Sequence, residues 1–142
     1  MIRTAVVTGA SSGIGAAVAR RLAKDGFDTV LVARRGELIQ RVAEETGGQR
    51  RSTSPTPMPY GLRPSASTPL TSLVNNAGGA LGAEPVTGVD PGHWQHMYAV
   101  DVLGTLHVTG PAPAAEAAGT VVNVTSTAAF VNYETGGGYR AL

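Results

Sequence analysis

The stretch that decides the fold spans residues 4–15 and reads TAVVTGASSGIG. An apolar run ending at Thr8 is followed at once by glycines at positions 9, 13 and 15, and a helical pattern begins near Ile14. Glycine lets a backbone turn tightly and approach a ligand, and a helix that starts at such a turn directs unpaired N–H groups and its positive dipole end at an anion. The pattern predicts a strand, a phosphate-binding turn for a dinucleotide and a helix; an ordinary strand-to-helix turn is the alternative.

Strands and helices alternate after this turn. Residues 16–24 carry aliphatic side chains at helical spacing, in line with Ile14, and end in basic residues followed by Gly26, which is typical of a helix terminus. Residues 29–33 form a short apolar run, and residues 37–46 again have helical periodicity. This alternation predicts one α/β domain over residues 1–142 with a doubly wound parallel sheet covered on both faces.

The composition excludes several classes of protein. The net charge is +1, and the arginine pairs are scattered, so no basic face for nucleic acid is expected. There is no cysteine, no apolar run of membrane-spanning length and no secretory leader pattern, so we expect a cytoplasmic protein that does not bind a membrane. His93 and His96 lie three residues apart without an evident third ligand, so no metal is expected.

The second half of the chain repeats the pattern after an interruption. Residues 49–72 hold five of the nine prolines, which predicts a segment without strand or helix. Order then returns with a strand and turn at residues 73–78 and a helix at residues 91–108, where Trp94, Tyr98 and Val102 share one face. Residues 120–126 predict another buried strand. Because a Pro-rich segment stands in place of the third strand and the chain ends at Leu142, the sheet is expected to be incomplete at both edges.

Three motifs together resemble the short-chain dehydrogenase/reductase family. They are the Gly-x-x-x-Gly-x-Gly spacing after Thr8, the Asn-Asn-Ala-Gly sequence at residues 75–78, and the spacing between Ser126 and Tyr139. The resemblance implies a Rossmann-like fold and hydride transfer between a nicotinamide and a small alcohol, hydroxy acid or ketone. It implies catalytic roles for Ser126, Tyr139 and Asp101, and cofactor-binding roles for Thr8, Gly9, Ser11, Ser12, Gly13, Ile14, Gly15, Arg34, Arg35, Asn75, Ala77 and Gly78.

The end of the second predicted strand bears on the choice of cofactor. Relatives that prefer NAD carry an acidic residue where this chain has Ala33, and Arg34 and Arg35 follow. Because an arginine can pair with the 2′-phosphate, we expect NADP rather than NAD. Two solvated arginines at a strand end are the alternative.

The chain also departs from the family's pattern at the predicted site. Asp101 stands where relatives carry an Asn that holds a water of the proton relay, and an ionised Asp cannot donate a hydrogen bond. Relatives also have a lysine four residues after the tyrosine, where it lowers the pKa of the phenol, and Leu142 is one residue short of that position.

Two segments leave alternatives open. Residues 52–61 can be encoded so that the same bases, read from the third position, give D-V-T-D-P-D-A-V-R, which is similar to the family's missing third strand end. Residues 109–115 likewise give R-A-L-L-P-P-L one base later. Two explanations fit these Pro-rich sequences. One is local frame slips within residues 49–72 and 110–118, and the other is genuine Pro-rich insertions. The chain is accordingly expected to be a reductase that forms a homo-oligomer at full length, or a truncated, inactive remnant with weak nucleotide binding.

Overall fold

The computed structural model describes residues 3–52, 70–82, 84–110, 119–131, 135 and 137–141, with backbone only at residues 49–52. The strands are β1 (Arg3–Thr8), β2 (Phe27–Ala33), β3 (Gln49–Ser52), β4 (Leu70–Asn75) and β5 (Thr120–Asn123). The helices are α1 (Gly13–Lys24), α2 (Gly36–Thr46), α3 (Pro91–Met97), α4 (Gly104–Thr109) and α5 (Gly137–Arg140). A π-helical segment, Tyr98–Leu103, joins α3 to α4, so helix runs unbroken over residues 91–109. Single 3₁₀ turns lie at Val86–Gly88 and Thr127–Ala129.

The strands form one parallel sheet in the order β3-β2-β1-β4-β5. The chain winds outward from β1 to β3 and then returns to the other side of β1 with β4. Between the carboxyl ends of β1 and β4 lies the crevice where such sheets bind their ligands, because the connections on the two sides run in opposite directions. The doubly wound parallel sheet expected from the sequence is therefore confirmed.

The core lies on both faces of the three central strands. Neighbouring residues of β1 point to opposite faces, so Val6 and Val7 belong to different clusters. On one face the aliphatic side chains of the sheet pack against α1 and α2, with Leu31, Ile39 and Val42 at the centre. On the other face Val6, Val30, Val32 and Leu73 pack with Val108 of α4. This core holds fixed the strand ends that carry the site.

The Pro-rich segment is more ordered at its two ends than the sequence suggested. The expectation that residues 49–72 lack strand is wrong there, because Gln49–Ser52 pairs in parallel with Val30–Ala33 and β4 begins at Leu70. Backbone pairing with β2 supplies this order, and backbone pairing leaves no trace in a side-chain pattern. The third strand is present. The proposed frame slips within residues 49–72 and 110–118 stay untested, because residues 53–69 and 111–118 fall outside the described residues.

The expectation of a buried strand at residues 120–126 is also wrong. All four residues of β5 are exposed, since β4 is its sole hydrogen-bonded neighbour in the described sheet. In the helix over residues 91–109 Tyr98 is 49% exposed, and Met97, Gly104 and Val108 are buried instead. The π-helical segment explains this difference, because a wider turn shifts the inward face away from a regular spacing of four residues.

Candidate active site

Thr8, the last residue of β1, fixes the loop that follows β4. Its hydroxyl is buried and accepts hydrogen bonds from the backbone N–H groups of Asn76 at 3.0 Å and Ala77 at 2.9 Å. The same hydroxyl donates to the carbonyl oxygen of Val74 at 3.4 Å. One side chain thus uses its donor and both acceptor positions to join the two strand ends that flank the crevice.

The glycine-rich loop is closely packed at Gly9 and Gly15 and open at Gly13. Gly9 and Gly13 have φ values of 66° and 54°, which residues other than glycine rarely adopt. A Cβ at Gly15 would lie 2.5 Å from the carbonyl oxygen of Gly9, so the loop and the helix can meet here only without side chains. Apart from its chain neighbours and the backbone of its own helix, no atom of the described residues lies within 4 Å of a Cβ position at Gly13. The loop therefore leaves room for a ligand to approach its backbone, and Ile14 beside it is 61% exposed.

The first turn of α1 is not capped by a side chain. Ser12 is the N-cap residue, but its hydroxyl makes no capping hydrogen bond. Instead Arg35, just after β2, donates to Ser11 Oγ at 3.2 Å from Nη2 and also donates to Ser12 Oγ. Among the described residues, no side-chain acceptor caps the N–H groups of this turn, which suits an incoming anion. Arg34 is exposed and precedes Arg35 in the chain.

The two asparagines at the carboxyl end of β4, Asn75 within the strand and Asn76 just after it, hold different parts of the site. Asn75 is 5% exposed, and its Nδ2 donates to Thr109 Oγ1 and to Asn123 Oδ1, both at 2.9 Å. Asn76 donates from Nδ2 to the carbonyl oxygen of Thr8 at 3.1 Å. The sequence analysis placed Asn75 in the site but missed Asn76, although the Asn-Asn doublet was the available signal.

Asp101 lies in the π-helical segment and faces the same loop. Its Oδ1 accepts a hydrogen bond from the backbone N–H of Gly79 at 3.0 Å, while Oδ2 is buried without a partner in the described part of the chain. Burial raises the pKa of this carboxyl, against the opposing effects of the Gly79 hydrogen bond and the positive charge of His96. Gly78 is also close, because a Cβ there would touch Asp101 Oδ1.

Ser126 and Tyr139 line one cavity of about 330 Å³. Ser126 precedes the turn Thr127–Ala129, and its Oγ accepts a hydrogen bond from the N–H of Ala128 at 3.1 Å. Tyr139 reaches the cavity from α5. The remaining lining residues are Ala80, Thr127, Ala128 and Val131, none of which the sequence analysis had placed in the site. Ala80 links the two halves, because the loop that Thr8 holds at Asn76 continues to the cavity wall.

The described residues contain neither a cluster of metal ligands nor a membrane-spanning helix. No three His, Cys, Asp or Glu side chains among them are grouped in a way that could hold a metal ion. Within the same residues, no helix combines the length and the apolar character that crossing a membrane requires.

Comparison with known proteins gives a consistent result. The family model described as short chain dehydrogenase matches residues 3–67 and 63–141, so the two matched pieces meet inside the Pro-rich segment. An uncharacterized oxidoreductase of Mycobacterium tuberculosis is 45% identical over 143 residues, which cover 98% of this chain and 57% of that protein. Serine 3-dehydrogenase of Agrobacterium fabrum is 33% identical over 148 residues, covering 98% of this chain and 59% of that protein.

A solved structure matches at similar identity. The crystal structure of a metagenomic short-chain oxidoreductase in complex with NADP is 32% identical and superposes with a TM-score of 0.82, covering 98% of this chain and 69% of that one. The chain therefore spans somewhat more than half the length of the curated relatives it matches.

Proposed function

This chain belongs to the short-chain dehydrogenase family, and from that premise we propose that its site binds NADP and serves an oxidoreductase reaction on a small alcohol, hydroxy acid or ketone. The observation that carries the proposal is the single loop over residues 75–80. At one end Thr8 and Asn76 tie it to the glycine-rich turn, and at the other end Ala80 lines the cavity with Ser126 and Tyr139. A nucleotide in the turn and a substrate in the cavity would thus be neighbours.

The nucleotide half of the site suits a dinucleotide phosphate. The backbone is open at Gly13, and the first turn of α1 has N–H groups without a side-chain acceptor. We assign the pyrophosphate of the cofactor to this turn, where it would meet Gly9, Ser11, Ser12, Ile14 and Gly15. We assign the nicotinamide end of the cofactor to Asn75, Ala77 and Gly78. Arg34 and Arg35 would hold a 2′-phosphate, which is the basis for NADP rather than NAD.

Ser126 and Tyr139 would handle the substrate oxygen. A hydroxyl has one proton to donate and two lone pairs. Ser126 Oγ accepts one hydrogen bond, from Ala128, and its proton would be donated to a substrate oxygen in the cavity. Tyr139 would give a proton to that oxygen, or take one from it, as the oxygen changes between carbonyl and alcohol. When bound, the nicotinamide supplies the hydride acceptor or donor.

Asp101 would complete the site as an acceptor. Its Oδ1 is occupied by Gly79, whereas Oδ2 is buried and has no partner in the described residues. We assign Oδ2 the binding of a water that continues the proton path from Tyr139.

We also propose the cytoplasm as the compartment, in keeping with the absence of cysteine, and a homo-oligomer for a full-length relative of this chain.

The test separates binding from chemistry. NADPH is titrated against the purified chain by fluorescence, and oxidation of NADPH is followed with a panel of small aldehydes and ketones. Tyr139→Phe should leave NADPH binding intact and lower turnover by about 10²- to 10⁴-fold, which is the usual contribution of general acid–base catalysis. Tyr98→Phe removes a hydroxyl from a half-exposed tyrosine that does not line the cavity, so it serves as the matched control.

Three outcomes are informative. Loss of turnover in Tyr139→Phe but not in Tyr98→Phe supports the proposal. Normal turnover in Tyr139→Phe contradicts the assignment of the site. NADPH binding with no turnover by the unaltered chain would instead fit the remnant that binds nucleotide without catalysis.

A further inference from the structure

Helix α5, which carries Tyr139, lies against α3 at a point that has no room for a side chain. Gly138 is buried, and a Cβ there would lie 2.6 Å from Trp94 Nε1 and 2.8 Å from Met97 Cε. Real Cβ atoms essentially never come this close to another atom, so a larger residue would force either these side chains or the two helices to shift. Gly138 therefore allows α5 to approach α3 more closely than any other residue would.

Met97 connects the same contact to the opposite part of the cavity. Its side chain is 2% exposed, and its sulfur accepts a hydrogen bond from the backbone N–H of Leu81 at 3.2 Å. Leu81 directly follows Ala80, which lines the cavity. Two parts of the cavity wall, at Ala80 and at Tyr139, therefore rest on adjacent turns of α3.

We propose that Trp94 and Met97 are positioning residues for Tyr139, and that their contact with Gly138 sets where the tyrosine hydroxyl stands in the cavity. Trp94 is the stiffer of the two. The atom of Met97 that meets Gly138 is the terminal methyl of a flexible side chain and can move aside. The ring atoms of Trp94 cannot move without turning the whole indole, and Trp94 Nε1 is buried without a hydrogen-bond partner among the described residues, so packing alone holds it.

This inference rests on the proposed function only for its consequence for turnover, so the test has a readout that needs no activity. The chain has four tyrosines and one tryptophan. The Tyr139 resonance is assigned in protein labelled with ¹³C at the tyrosine Cζ, by its loss in Tyr139→Phe. The emission of Trp94 reports the other side of the contact.

In Gly138→Ala the Tyr139 resonance and the Trp94 emission should both shift. Turnover should fall about a hundredfold with the NADPH dissociation constant unchanged, because a misplacement of ~1 Å costs a rate of that order. The double variant Gly138→Ala/Trp94→Phe removes Trp94 Nε1 and should restore both the resonance and turnover. Trp94→Phe alone, which creates space, should shift the resonance even if Gly138→Ala does not fold.

The matched control is Gly137→Ala, one residue earlier in α5. A Cβ there would lie 3.0 Å from Val86 Cγ2, the end of a side chain that is 66% exposed, so the neighbour can yield. This variant should leave the Tyr139 resonance and turnover unchanged.

The outcomes distinguish this proposal from the proposed function. A Tyr139 resonance that stays in place in both Gly138→Ala and Trp94→Phe overturns the positioning role. So does a shift in Gly138→Ala that Trp94→Phe fails to reverse. If the unaltered chain neither binds NADPH nor reduces a carbonyl, the proposed function falls, whereas the resonance still decides whether Trp94 positions Tyr139.

Discussion

Asp101 Oδ1 accepts a hydrogen bond from the backbone N–H of Gly79 at 3.0 Å, which joins the π-helical segment to the loop that borders the cavity. Gly79 has a φ of 153°, so the bond holds a backbone shape that favours glycine. The other carboxyl oxygen is buried without a partner in the described chain. A carboxylate in this position is held by one hydrogen bond and carries a charge that burial disfavours.

The first prediction concerns the pH dependence of stability. Burial raises the pKa of Asp101, so the folded state binds this proton more tightly than the unfolded state. The stability from Asp101 is therefore fully present below the unfolded pKa and is lost as the pH rises through the folded pKa. Asp101→Asn cannot ionise and keeps the acceptor for Gly79. Its Tm should thus exceed that of the unaltered chain at neutral pH, and the gap should close as the pH falls below the ordinary range of an Asp.

Asp101→Ala separates charge from hydrogen bonding. This variant loses the acceptor as well as the charge, so Gly79 is left without its side-chain partner at every pH. A Tm gap between the unaltered chain and Asp101→Asn that is the same at pH 3 and pH 7 would contradict the effect of burial on the pKa.

A second prediction follows from the three hydrogen bonds of Thr8. Thr8→Val keeps the shape of the side chain but leaves the N–H groups of Asn76 and Ala77 without their acceptor. Each such loss costs about 1–3 kcal/mol when the group is buried, so the free energy of unfolding in urea should fall by about that amount or more. Thr8→Ser keeps the hydroxyl and should lose less. A larger loss in Thr8→Ser than in Thr8→Val would show that packing of the methyl group, not the hydroxyl, is what matters at this strand end.

The parts of the fold that the sequence predicts are those encoded within a short window. The turn at residues 9–15 could be predicted because strand, glycines and helix follow one another directly. The hydrogen bonds of Thr8 could not, since its hydroxyl meets Asn76 and Ala77, which lie 68 and 69 positions further along the chain. Of the motif residues, Asn75 was predicted for the site and Asn76 was not, because a sequence pattern does not tell which of two adjacent amides turns toward the glycine-rich loop.

Two strands show that the residues of a strand do not by themselves predict its pairing or its burial. Residues 49–52 read QRRS and have no apolar run, yet they pair in parallel with β2. Residues 120–123 read TVVN and have the composition of a buried strand, yet all four are exposed. In both cases the position in the sheet decides the outcome, and that position depends on which other elements are present rather than on the strand's own residues.

The third prediction concerns the choice of cofactor. Arg34→Ala and Arg35→Ala should each weaken NADPH binding by roughly tenfold to a hundredfold, since a charge-assisted hydrogen bond is worth about 1.5–3 kcal/mol. NADH has no 2′-phosphate, so its affinity should change much less. Fluorescence titration of both nucleotides against both variants measures the difference directly.

Arg41→Ala is the control for net charge. Arg41 is an exposed arginine on α2, a helix whose first residue directly follows Arg35. Its removal should leave the affinities for NADPH and NADH unchanged. A loss of NADPH affinity in Arg41→Ala as large as in Arg35→Ala would mean that overall positive charge, not a 2′-phosphate contact, sets the preference.

The last prediction compares two valines that face each other across β4 and β5. Val74 and Val122 are partners in the parallel register, yet Val74 is 5% exposed and Val122 is 44% exposed. Val74→Thr should therefore lower the free energy of unfolding by about 1–3 kcal/mol, because the new hydroxyl is buried. Val122→Thr should change it by no more than about 0.5 kcal/mol. Val122→Lys should also reduce aggregation, because a charge on an exposed edge strand opposes pairing with other chains. Urea unfolding and light scattering measure the two effects. A large loss of stability in Val122→Thr would show that β5 is covered in solution, by a second copy or by further chain.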